Sequence, residues 1–156
     1  MKIINSFSLS SIFIILIAFI QLQNCKEVNE NAKTTEIYLE SLNYARDKNV
    51  KLLLVFGADW CKDCHSLKDR FRNNQKISTI LSSNFVVFNV DVGKFDKNLE
   101  FAKNFGSPQD NGIPSLVIID PAQNDKILGS TKGGEFSNAS NMDDDSIENY
   151  LTSFIK

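Results

Sequence analysis

The sequence predicts an α/β domain in which a mixed four-stranded sheet lies between helical layers, and three observations carry that prediction. The continuous apolar run Leu52-Leu53-Leu54-Val55-Phe56 lacks polar alternation, as a parallel strand covered on both faces does, and Ser115-Leu116-Val117-Ile118-Ile119 is a further strand candidate. Segments with helical spacing separate the strand candidates, which is the order of an α/β chain. At 156 residues, 42% hydrophobic and 23% charged, the chain has room for one ordinary core and carries no composition signal of disorder.

The N-terminus comes first. Lys2 is followed by an apolar run from Ile12 to Ile20. That run is short for a bilayer roughly 30 Å thick but suits the roughly 7 to 15 residue apolar core of an export signal, so residues 1–25 are expected to be a signal peptide. An uncleaved anchor helix is the alternative. Leu22-Gln23-Asn24-Cys25 resembles a bacterial lipobox, in which the cysteine is lipidated. Leu22 fits, whereas Gln23 and Asn24 are larger and more polar than the usual residues there. Residues 26–34 are polar and aperiodic and read as a linker, which leaves 35–156 as the folded domain.

Within that domain Ile37, Tyr38, Leu42 and Ala45 fall on one helical face ahead of the first strand. Cys61 to Asn73 has helical spacing through Cys64, Leu67, Lys68 and Phe71, and Ile77, Ile80 and Leu81 mark a second short helix. Phe85 to Val90 is the next strand candidate. A third helix follows, with Asp96 as its expected N-cap, Leu99, Ala102 and Phe105 as its apolar face and Gly106 as its C-cap. After the 115–119 strand, Asp120-Pro121 makes a turn and Lys126-Ile127-Leu128 a short antiparallel fourth strand. Asp143, Asp144 and Asp145 complement the positive end of a last helix, whose apolar stripe is Ile147, Tyr150, Leu151, Phe154 and Ile155.

The chemistry concentrates in Cys61-Lys62-Asp63-Cys64. A thiolate at Cys61 would face the unpaired N–H groups and positive dipole end of the helix that starts there, which can pull a thiol below its reference pKa of about 8.5. Cys64, one turn on, lies close enough to attack a mixed disulfide at Cys61. A redox pair, a metal clamp and a structural staple all remain open on spacing alone. The staple is weakened by its short loop, because crosslink entropy is smallest there. A formal charge of −2 supplies no basic surface for phosphates, so no nucleic-acid partner is expected.

Phe56-Gly57-Ala58-Asp59-Trp60-Cys61, Asp63-Cys64 and Gly112-Ile113-Pro114 together resemble the thioredoxin-like thiol-disulfide oxidoreductases. The resemblance spans about residues 35–156 in element order. It implies the thioredoxin-like fold, with a central mixed four-stranded sheet flanked by helices. It further implies Cys61 as nucleophile and Cys64 as resolving thiol of one redox disulfide. Trp60, Ile113 and Pro114 would form the substrate-docking surface, with a cis Ile113–Pro114 bond beside Cys61. No organic cofactor and no metal is implied. The expected partners are protein disulfide substrates, an upstream redox partner and a membrane reached through a lipid or N-terminal anchor, with the protein a monomer in the bacterial cell envelope, on the periplasmic side.

Departures accompany the matches. Val55 stands where thioredoxins carry a buried acid below the second cysteine, and Lys62 where relatives often carry proline or glycine. Asp59 and Asp63 disfavour a thiolate and Lys62 favours it, so all three are tuning candidates. His65 is the single histidine: a solvent-facing residue, a tuner of thiol acidity, or a third ligand with Cys61 and Cys64. The last option gives the competing function, a copper metallochaperone. The favoured function is thiol-disulfide exchange on protein substrates as an envelope reductase.

Overall fold

The computed structural model describes residues 30–155 apart from Gly133. The expected signal peptide and the lipidation candidate Cys25 lie outside the described residues. Residues 30–48 form a helix, α1. The chain then runs through β1 (Lys51–Gly57), α2 (Lys62–Asn73), α3 (Gln75–Asn84), β2 (Phe85–Asp91), α4 (Leu99–Lys103), β3 (Ser115–Asp120), β4 (Lys126–Ser130) and α5 (Asp144–Thr152). The fold is α/β, with a four-stranded mixed sheet flanked by helices.

The strand order is β2-β1-β3-β4. Strands β1 and β2 are parallel, with Lys51 opposite Phe85 and Gly57 opposite Asp91, and the α2–α3 pair makes the crossover that parallel neighbours require. On its other side β1 pairs antiparallel with β3, and β3 with β4. The two central strands are covered on both faces, which is why their sequences show no alternation. Leu52, Leu54 and Phe56 face a cluster with Leu42, Ala45, Phe101 and Phe105. Leu53, Leu116 and Ile118 face the opposite cluster, with Leu67, Ile77 and Ile147.

Three expectations are corrected. Residues 30–34, read as linker, belong to α1. Their polar side chains serve the domain: the Asn31 amide oxygen accepts the Phe101 N–H at 3.1 Å, and Glu30 lies 3.6 Å from the Lys97 ammonium. Ile37 is exposed, because Tyr38, Leu42 and Ala45 alone complete the inward stripe of α1. The N-cap of α4 is Asn98, in left-handed backbone, rather than Asp96. Asp96 instead closes the preceding turn by accepting the Lys94 N–H at 2.8 Å. Gly106 does follow α4 at φ 75°, a conformation that favours glycine.

Candidate active site

The site is built where β1 ends and α2 begins. Cys61 is the N-cap of α2, with extended backbone, and its sulfur accepts the Cys64 N–H at 3.1 Å. An N-cap ordinarily offers a side-chain oxygen to that N–H. A sulfur in its place sets thiol chemistry against the donors and the positive dipole end of the helix. Cys61 and Cys64 are joined as a disulfide, with Cα atoms 5.2 Å apart. The Cys61 sulfur also lies 3.6 Å from the carbonyl oxygen of Ile113, 52 residues away in sequence, and the Ile113–Pro114 bond is cis. Both motif stretches therefore converge on one sulfur.

Exposure differs across the site in a way the sequence does not foretell. Cys61, the expected nucleophile, is 4% exposed, whereas Cys64 is partly exposed. Ile113 and Pro114 are buried. The segment after β4 packs against this loop: Gly112, at φ 122°, leaves room for Ser137, whose Cβ would stand 2.7 Å from any Cβ added there. Trp60, by contrast, is 55% exposed and donates its Nε1–H to the Gly93 carbonyl at 2.7 Å. Its ring centroid lies 5.9 Å from that of Phe95, itself 44% exposed and held at φ 62°.

Each tuning candidate has a definite place. The Asp59 carbonyl oxygen lies 2.6 Å from His65 Nε2, so His65 ties the turn before Cys61 to the first turn of α2. Lys62 is exposed. Asp63 accepts both the N–H and the hydroxyl of Ser140, at 2.8 and 2.7 Å, and these bonds hold its carboxyl below the ordinary range. A depressed pKa contributes stability above the unfolded-state value that is lost as pH falls through the folded-state value. Asp63→Asn should therefore lower the melting temperature by about 3 °C near pH 7 and have no effect once acid protonates the wild-type carboxyl, which melting curves at the two pH values check.

Behind the disulfide, Val55 and Cys64 line a cavity of about 510 Å³ between α2, α3 and β2. The buried acid that the resemblance leads one to expect at Val55 is replaced by an apolar wall. Gly57 lines the same cavity and permits its close approach to Cys64: an added Cβ would lie 3.2 Å from the Cys64 sulfur. Among the described residues no three His, Cys, Asp or Glu side chains gather as a metal site.

Residues 33–121 match the family described as Thioredoxin-like, more than half of the chain. The chain belongs to the Thioredoxin-like family. It is 36% identical to the disulphide isomerase from Xylella fastidiosa Temecula1, with a TM-score of 0.72 and coverage of 78% of this chain and 90% of that one. A thioredoxin from Thermus thermophilus shares the fold at 21% identity and a TM-score of 0.56, over 74% of this chain and 82% of that one. Anterior gradient protein 3 of Mus musculus is 29% identical over 56% of this chain and 48% of its own length, so this chain spans about half of that relative. As a thioredoxin-like chain with Cys61 and Cys64 at disulfide distance, this protein has the fold and the pair of a disulfide oxidoreductase.

Two contributors to the thioredoxin-like site escape sequence reasoning. Phe95 sits in a Gly-Lys-Phe-Asp turn outside any periodic stripe, and an aromatic residue isolated among turn formers is the one signal that singles it out. Ser140 carries no signal, since its partner Asp63 lies 77 residues away.

Proposed function

We propose that this protein is an exported thiol-disulfide reductase of the bacterial envelope, acting on protein disulfides and tethered by a lipid on Cys25. The carrying observation is the Cys61 sulfur at the N-cap of α2, accepting the Cys64 N–H. In the dithiol state the same N–H and helix end favour a Cys61 thiolate. That thiolate attacks one sulfur of a substrate disulfide, and the other leaves as a thiolate and takes a proton from water. Cys64, giving its proton to water, attacks the Cys61 sulfur. The second substrate thiolate departs, and the Cys61–Cys64 disulfide forms.

Two electrons pass to the substrate in each cycle, and an upstream redox partner restores the dithiol. The name of the Xylella relative supports disulfide chemistry on proteins. The exposed Trp60 and Phe95 rings offer an apolar docking patch beside the thiols, on a protein that works as a monomer.

Equilibration with glutathione tests the direction. A potential near the about −270 mV of thioredoxin supports a reductase, and one near the about −120 mV of DsbA overturns it. Incorporation of labelled palmitate, lost in Cys25→Ala, tests the tether. Phe95→Ala should lower kcat/KM for reduction of insulin disulfides by up to about tenfold, the worth of one aromatic contact, with little effect on a small aromatic disulfide.

A further inference from the structure

We propose that Ser140 is a positioning residue for the redox pair: from outside both motif stretches it holds the Asp63 carboxylate away from Cys61 and so keeps the attacking thiolate populated near neutral pH. The inference rests on the exchange reading above and adds to it a residue that tunes the nucleophile.

An aspartate between two redox cysteines works against the nucleophile in two ways. Cys61 is the N-cap of α2 and Asp63 its second residue, so thiolate and carboxylate draw on the same positive helix end. A nearby carboxylate also repels a thiolate directly, which raises the thiol pKa.

Ser140 answers both effects. Its N–H and its hydroxyl donate to the same oxygen, Oδ1 of Asp63, at 2.8 and 2.7 Å. These two bonds are the main hold on the carboxyl, which stays below its ordinary range and is therefore fully charged wherever a thiol titrates. The charge is not removed; it is placed. Its donors are fixed in turn. Ser140 lies in a short 3-10 turn, Ala139–Asn141, and Phe136 and Ala139 beside it are buried in the same core cluster as Leu67 of α2. The Ala139 N–H donates to the Phe136 carbonyl at 2.9 Å, which stiffens the approach to Ser140.

A carboxylate released from Ser140 swings toward the open N–H groups of the first turn of α2, its own N–H among them, which already draws on it. The stabilisation available to Cys61 falls accordingly. A carboxylate that moves from about 8 to about 6 Å of a thiolate lowers the thiolate population about threefold at an effective dielectric of about 20. Other charges on the elements around Cys61 are Asp59, Lys62, His65, Asp110, Lys132, Glu135 and those of the Lys94 to Lys97 turn beside Trp60. All are the same in each variant below, so they cancel from the comparison.

The test compares Ser140→Thr, which keeps both donors, with its isostere Ser140→Val, which puts a methyl where the hydroxyl stood. The reduced full chain is alkylated with iodoacetamide from about pH 5.5 to about pH 9.5, and labelling of Cys61 is read on tryptic peptides. Cleavage after Lys26 and Lys62 puts Cys25, Cys61 and Cys64 on different peptides. Ser140→Thr should match the wild type. Ser140→Val should move the Cys61 profile to higher pH and slow labelling on its rising limb about threefold. Ser140→Ala should move it the same way by less, and carries the same test if Ser140→Val does not fold. An unmoved profile overturns the proposal.

Asp63→Asn separates charge from bracing, because an amide oxygen still accepts both Ser140 donors but carries no charge. In that background the Ser140→Val and Ser140→Thr profiles should coincide. A shift that persists there shows that Ser140 only braces the loop, and overturns the assignment. Insulin reduction by the dithiothreitol-reduced wild type is read alongside. If insulin is reduced while the Ser140 profiles all coincide, the Ser140 assignment alone is wrong. If insulin is not reduced, the exchange reading falls, and the positioning role with it.

Discussion

Replacing Cys61 with serine should lower insulin-disulfide reduction on the order of a thousandfold or more. The hydroxyl can occupy the N-cap and accept the Cys64 N–H, so α2 keeps its start while the nucleophile is gone. Cys64→Ser separates the roles: Cys61 still attacks, the mixed disulfide cannot be resolved, and the variant accumulates covalently bound to its substrate. Turnover assays and non-reducing gels on the two variants check the pair of outcomes. Equal, partial losses in both, with no trapped species, would contradict the assignment of nucleophile and resolver.

Phe56→Ala should destabilise the fold by about 3–5 kcal/mol, the usual range for removing a buried phenylalanine. Phe56 has no exposed surface and lies 6.4 and 6.1 Å, centroid to centroid, from Phe101 and Phe105. Those rings come from α4 and the residues after it, so the vacated space lies between the sheet and the segment that leads to Pro114. Because a domain holds about 5–15 kcal/mol in total, the loss takes a large share of it. Urea denaturation measures the effect, and a shift under 1 kcal/mol would show that the aromatic cluster collapses to fill the void.

Patterns of short range were legible before any coordinates. Leu52 to Phe56 announces a strand covered on both faces because such burial removes alternation, and the apolar run Ser115 to Ile119 announces another. Cys61 and Cys64 announced the start of α2 because the thiol spacing and the helical stripe coincide. The helical state of residues 30–34 is not legible because a contact that fixes them, the Asn31–Phe101 bond, joins residues 70 apart in sequence. Asp96 was a plausible cap by type, yet its carboxylate serves the turn before α4. The relative burial of the two sulfurs was illegible for the same reason: it depends on the loop at Gly112, the segment at Ser137 and the cavity beside Gly57, none of which is local to the motif.

Trp60 is the chain's single tryptophan, next to Cys61 in sequence and packed at a tilt against Phe95. A disulfide is an efficient quencher of indole emission, and a thiol pair a weaker one. The protein consequently carries its own optical reporter, so that opening of the Cys61–Cys64 bond should brighten its fluorescence without any label. Every electron-transfer step discussed above can be followed in real time by the light of one residue.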